Sequence, residues 1–370
     1  MAFSKSTRIN YINIGLMAIS CIAAFIMPFE VFLFAYAVLG PLHYLTEISW
    51  LHDRKYFTRG KYNNVVLWII GGLIILKNIA NHFGLYLPYF SDFESKIIFV
   101  ALTISLLMVF VQNPYIKIGG LFFILLVSNL IFKPDHRDGL AFLIVALLPT
   151  LIHVFIFTGF FMLYGALKER SKSGLLSVAI FIVCPILLFV LFRNEIFVPV
   201  TKYAQDTFTS DGGGFFRMIR RFLHELFGVQ FTQMKDAAGN LSFSRNGSPV
   251  WDFNDSVNIV FHSQAGILFM RFIAFAYTYH YLNWFSKTEI IRWHEVPKTR
   301  FMAVIILWIV SLVLYAYNYS LGYTWLYFLS LCHVLLEFPL NVVSISGIGK
   351  ELISISKNGF KLTRAVATEK

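Results

Sequence analysis

Ten apolar runs, each close to the length that crosses a bilayer, leave this chain few ways to fold. They cover residues 11–28, 29–51, 65–87, 96–113, 118–132, 139–166, 175–192, 258–285, 301–320 and 322–345. A spanning helix needs about 20 apolar residues. No water reaches the hydrocarbon to satisfy backbone groups, so only helices and closed barrels cross it. The expected fold is an all-α polytopic membrane protein: about ten transmembrane helices in one bundle, with one long extramembrane loop. Residues 1–192 hold the first seven helices, 193–257 the loop, 258–345 the last three helices, and 346–370 a basic cytoplasmic tail.

Composition agrees. Of 370 residues 57% are hydrophobic and 14% charged, against about 25% charged in a soluble domain. The net charge of +11 would suggest nucleic acid in a soluble protein. Here the basic residues sit in short segments between apolar runs, so they are read as topology determinants and no nucleic-acid partner is expected. Lys5 and Arg8, then Arg54, Lys55, Arg59 and Lys61, then Lys168, Arg170 and Lys172, then Lys287, Arg292, Lys298 and Arg300, and finally the tail, all fall on one side of a ten-helix topology. Lys133 and Arg137 are the exception. This sidedness puts both termini in the cytoplasm, with the bacterial inner membrane as the expected location. Cys21, Cys184 and Cys332 lie in apolar runs without CxxC spacing and read as free thiols. Aromatics make up 18% of the chain. They serve either as packing and lipid-facing bulk or as the walls of a pocket for a long apolar or polyene ligand.

The extramembrane segment carries one patterned stretch. From Phe215 to Phe227, apolar and basic residues alternate at helical spacing, as in an interfacial amphipathic helix. The preceding Asp211-Gly212-Gly213-Gly214 reads as a hinge. A phosphate loop would need a lysine and Ser/Thr after it, and none follows.

Four histidines stand inside the apolar runs: His43, His153, His280 and His333, on the second, sixth, eighth and tenth. An ionisable residue in the membrane marks a site facing the bundle interior, and neutral imidazole is the commonest metal ligand. Glu47 follows His43 and Glu337 follows His333 at i+4, on the same helix face. Each carboxylate can orient an imidazole or act as a further ligand, which would make a di-metal site. The four histidines are therefore the candidate metal and catalytic residues, with Glu47 and Glu337 in support. An all-histidine shell with open positions suits ferrous iron that binds dioxygen, whereas structural zinc prefers closed, cysteine-containing sites. Counted from the outer ends of their runs, His43 and His153 lie deep, His333 nearer the midplane and His280 nearer the cytoplasm. Helix tilt is then needed to bring them together.

The remaining histidines carry weaker signals. His52 is expected in a solvated turn, His82 and His136 near the outer surface, His262 at an entrance to the eighth helix, and His294 in an interfacial loop. Arg271 and Asn283 are further polar positions in the eighth run, and Arg271 needs a carboxylate or carbonyl partner.

Gly40-Pro41-Leu42-His43-Tyr44-Leu45-Thr46-Glu47, the later membrane histidines and Cys332-His333-Val334-Leu335-Leu336-Glu337-Phe338-Pro339 together resemble a known pattern. It is that of the bacteriorhodopsin-associated, membrane-integral family of central-cleavage β-carotene dioxygenases. The chain has Tyr44 and Glu47 where that pattern has a small residue and Asp. The resemblance implies non-haem Fe2+ on His43, His153, His280 and His333, dioxygen as co-substrate, and cleavage of β-carotene to retinal. Two other readings stay open. A di-iron hydroxylase or desaturase usually carries dense histidine boxes, which are absent here. A transporter or channel would use Arg271, Glu47 and Glu337 without metal. The expected partners are the lipid bilayer and an apolar small molecule, with the oligomeric state open.

Overall fold

The computed structural model describes residues 4–58, 63–82, 93–132, 142–191, 196, 198–210, 214–243 and 249–360. The expected hinge at 211–213, His136, Lys133, Arg137 and the tail beyond 360 lie outside the described residues, as does the side chain of His82.

Among the described residues, ten long helical segments overlap the apolar runs. They are α1 (Lys5–Ile26), α2 (Pro28–Asp53), α3 (Asn63–His82), α4 (Phe93–Phe110), α5 (Pro114–Ile131), α6 (Leu143–Phe157 continued by Thr158–Lys168), α7 (Lys172–Val190), α11 (Gln264–Ser286), α12 (Lys298–Tyr317) and α13 (Tyr319–Asn358). Among the described residues seven helices are long and apolar enough to cross a membrane, or eight if the bent pair of α10 (Phe253–His262) and α11 is one span. Polar residues start several of them. Ser4, Asn113, Ser171, Ser263 and Asn318 accept backbone N–H bonds from the first turns of α1, α5, α7, α11 and α13, satisfying donors that a helix start leaves orphaned.

The apolar surface is distributed as a bilayer solvent requires. Only 11% of the spanning windows of α5 and α12 is buried, against 67% in α2 and 72% in α13. Phe122, Phe123, Leu126, Ile306 and Val313 face outward. Contiguous apolar surface on that scale is rare on soluble monomers. The inner helices form a ring: α11 packs on α2 and α6, and α13 also packs on α2 and α6. Each neighbouring pair in the cycle α2–α11–α6–α13 is in contact, so the four helices enclose one axis.

Two prolines widen helices of this ring without breaking them. Pro41 lacks an N–H, and its ring would collide with a carbonyl one turn back. The chain before it, Ala35–Leu39, winds as a π turn, and Pro28–Asp53 stays one helix. Pro149 sits in a π-helical stretch from Leu143 to Phe157. Such wide turns recur at functional sites. A different device bends α10 from α11, by 62° at Ser263. A Cβ on Gly266 would lie 2.2 Å from the Val260 carbonyl oxygen, so only glycine allows this approach.

The two ends of the bundle differ in charge. Arg8 pairs with Glu289 at 2.9 Å, Arg170 with Glu351 at 2.7 Å, and Arg300 with Asp53 at 2.8 Å. Among the described residues, the basic segments around Arg8, Arg170 and Arg300 therefore gather at one end, together with the start of α1 and the end of α13. The last helix runs on past residue 345 to Asn358. At 1.5 Å per residue its 40 residues reach about 60 Å, twice a hydrocarbon core of about 30 Å. Arg170, which bonds Glu351 and Ser354, ties the overhang to the turn after α6.

The opposite end carries the extramembrane segment, fastened where Glu30 accepts from the backbone and hydroxyl of Thr201. It contains α8 (Lys202–Thr209), the expected amphipathic helix as α9 (Gly214–Phe227), and a small hairpin of isolated bridges between Gln233 and Trp251. Phe215, Phe216, Ile219, Phe222 and Leu223 form the buried face of α9.

Candidate metal centre

Each helix of the ring contributes one histidine to its axis. His43 follows the π turn of α2, His153 lies within the π stretch of α6, His280 lies in the second half of α11 and His333 in the first half of α13. None is more than 6% exposed. The His43 ring lies 4.7 Å from that of His280 and 5.4 Å from that of His333. The His153 ring lies 4.9 Å from each of the same two. The expected difference in depth does not arise. Counted from their true starts, α2, α11 and α13 place their histidines within one turn of a common level. The bend at Ser263 removes α10 from the axis, which shortens the distance from helix start to His280.

The nitrogens converge and most lack protein partners. His153 Nε2 and His333 Nε2 are 3.0 Å apart. One nitrogen from each of His43, His280 and His333 falls in a set whose members all lie within 4.8 Å, and His153, His333 and Glu337 form a second such set. Both ring nitrogens of His43, Nδ1 of His153 and His333, Nε2 of His280, Oε2 of Glu47 and both carboxylate oxygens of Glu337 are buried without a hydrogen bond. One unpaired buried polar atom costs about 1–3 kcal/mol. Several around one point are sustainable only if something polar sits among them. Imidazole and carboxylate lone pairs together match a cation, so this buried cluster can hold a metal ion.

The carboxylates divide their support differently from their sequence spacing. Glu47 Oε2 lies 3.1 Å from Nε2 of His43, its own i+4 partner. Glu337 Oε2 lies 3.3 Å from Nδ1 of His153 on the neighbouring α6, rather than beside His333 on its own helix. Neither approach has hydrogen-bond alignment. Both are the close contacts expected of groups arranged about a shared centre.

Further residues lock the cluster that spacing alone could not identify. Thr158 Oγ1 lies 2.7 Å from His280 Nδ1, which leaves Nε2 toward the centre. Tyr44 stacks on His333 at 4.3 Å, and its hydroxyl meets that of Tyr281 at 2.5 Å. A Cβ on Gly40 would lie 3.1 Å and 3.2 Å from those two hydroxyls, so its absence leaves them room. Trp284 Nε1 donates to Thr46, whose hydroxyl donates back to the α2 backbone. Asn341, one turn beyond Glu337, is buried with neither side-chain atom bonded. The run His333, Glu337, Asn341 at i+4 spacing was the sequence signal for it.

Other polar residues stand apart from the cluster. Arg271 is 1% exposed; its Nε donates to the Phe25 carbonyl and its guanidinium covers the Phe25 ring at 4.2 Å. Asn283 meets the Tyr279 hydroxyl. Cys332 faces Gly71 of α3, away from the histidines. His52 and His294 are exposed, His262 is exposed at the α10–α11 bend, and His224 of α9 meets the Val229 carbonyl. Comparison of the chain with protein-family models, with curated proteins and with solved structures finds no match.

Proposed function

We propose that the chain is a membrane-embedded, iron-dependent oxygenase that cleaves or oxidises a long apolar substrate. The observation that carries this is the convergence of four buried, largely unpartnered imidazoles, one from each helix of the central ring, inside an apolar bundle. Neutral nitrogen donors without a thiolate suit ferrous iron more than structural zinc. The resemblance on Gly40 to Glu47 and Cys332 to Pro339 supplies the concrete reaction, β-carotene to retinal.

Fe2+ held by His43, His153, His280 and His333 would supply dioxygen activation. The chain's own residues do the rest. Thr158 fixes the His280 tautomer, and Glu47 and Glu337 hold the charge balance and orientation of His43 and His153. The Tyr44–Tyr281 pair fixes the His333 face, and the surrounding aromatics exclude water. An apolar substrate reaches such a site from the lipid, and burial at about 25 cal/mol per Å2 of apolar surface supplies binding. The topology belonging to this reading is ten spans in a bacterial inner membrane, with both termini and the basic end cytoplasmic.

Metal analysis of purified protein and expression in cells that accumulate β-carotene test it. The expected results are about one iron per chain and loss of the orange colour with appearance of retinal. Unchanged carotenoid with iron-loaded protein in the membrane rejects this substrate. Absence of transition metal rejects the enzyme reading and favours a transporter. One observation favours a di-metal variant: the two candidate ligand sets overlap at His333, and one includes Glu337. Two metal ions per chain would select it.

A further inference from the structure

A cavity of about 310 Å3 lies beside the histidine cluster, within the usual range of about 300–1,000 Å3 for small-molecule sites. Its position follows from helix register. Thr150 of α6, Tyr277 of α11 and Ser330 of α13 line it, and each stands three residues before the histidine of its helix. On α11 and α13 three residues advance an α-helix by about 4.5 Å and return to nearly the same face; on the wider π turns of α6, Thr150 lines the cavity directly. Tyr36, two turns before His43, lines it as well. All four ring helices thus open into this cavity on the N-terminal side of their histidines, the end that carries α9.

The far wall is α9 itself. Phe215 and Met218 close the cavity with apolar surface, and Arg217 and Arg221, four residues apart on one face, line it too. No carboxylate is among the described residues that line it. The third arginine of the helix is used differently: Arg220 bonds Ser256 and lies over the rings of Phe216 and Trp251. Close packing fixes α9 in place, since a Cβ on Gly214 would lie 2.4 Å from the Tyr323 ring.

We infer that this cavity is the substrate-binding site of the histidine centre, and that the substrate is a long apolar molecule ending in an acidic group. Arg217 and Arg221 bind the carboxylate or phosphate, and the tyrosines hold the chain that points past Thr150 and Ser330 to the cluster. The inference rests on reading the cluster as the reaction centre. It narrows the long apolar class to its acid-ended members and so replaces β-carotene, a hydrocarbon, as the substrate; cleavage of β-carotene to retinal by the unmodified protein would overturn it. Paired guanidinium groups are the usual recognition element for such anions. Arg221 also lies over the Phe142 ring at 5.0 Å, and a purely hydrocarbon substrate would offer neither guanidinium group an anionic partner.

The test is fluorescence titration of the full chain in detergent with cis-parinaric acid, a polyene carboxylate, and with its methyl ester. The acid should bind more tightly, by about tenfold for each charge-assisted contact. Arg217→Gln with Arg221→Gln should remove that preference and leave ester affinity unchanged, while Arg220→Gln keeps the preference. Equal binding of acid and ester by the unmodified protein overturns the inference. So does a preference that survives the double substitution, or one that Arg220→Gln removes equally. Displacement of parinarate by dodecanoate before dodecyl phosphate assigns a carboxylate end, and the reverse order a phosphate. Displacement by neither also overturns the site. Metal content measured on the same samples separates the two claims. Missing metal defeats the reaction centre, whereas missing acid preference with metal present defeats only the substrate class.

Discussion

A neutral imidazole in an apolar bundle must find a donor, an acceptor or a cation. Thr158 answers for one nitrogen of His280, but His43 has no hydrogen-bond partner for either of its two. Replacing any one of His43, His153, His280 or His333 with Ala should therefore lower bound metal and activity together. Full metal in three of the four variants would reject the ligand set. Thr158→Val keeps the shape and removes the hydroxyl, so His280 loses the bond that fixes its tautomer. The expected loss is about 10–100-fold in metal affinity, the usual effect of removing a group that orients a ligand. A metal titration of the purified variant checks it, and unchanged affinity would assign Thr158 to packing alone. Glu337→Gln should act through His153 on α6, not through His333. If the changed imidazole resonances belong to His333, the cross-helix contact is wrong.

Glycine and proline shape the elements that carry these residues. The α10–α11 bend puts His280 at the level of the other histidines, and it depends on Gly266 lying against the Val260 carbonyl. That neighbour is backbone and cannot move aside. Gly266→Leu should cost at least the 1–3 kcal/mol typical of overpacking and withdraw His280 from the cluster. A fall in thermal midpoint together with reduced metal binding is the expected reading. Normal metal binding would show that the bend does not set the level of His280. The bend was missed in the chain alone, because the polar His262-Ser263-Gln264 is too short a break to end the apolar run over 258–285.

At the scale of the molecule, the proposed topology puts the basic end of the bundle in the cytoplasm. Reporter fusions at Gly359 and Gly239 should give opposite signals, cytoplasmic for the first. The same signal from both would reject an odd number of crossings between them, and with it the three spans α11, α12 and α13. Metal bound only by the folded bundle adds stability by mass action, about 2.7 kcal/mol at a hundredfold excess over Kd. Chelation should therefore lower the thermal midpoint, and iron should restore it. A midpoint unmoved by chelator would mean that the cluster holds no stabilising ion. The apolar runs alone were enough to show an all-helical chain of long apolar segments, because a bilayer requires length and hydrophobicity that each segment carries locally; the run of α13 on to Asn358 was not among what they showed. The four histidines were legible for the same reason: polar groups are costly in such runs wherever they pack. What required the tertiary structure was everything that depends on a neighbour. The ring α2–α11–α6–α13, the pairing of Glu337 with His153, the Thr158 and Tyr281 contacts and the cavity under α9 join residues more than a hundred positions apart. Spacing along one helix reports which side chains share a face. It carries no information about which face of another helix meets them.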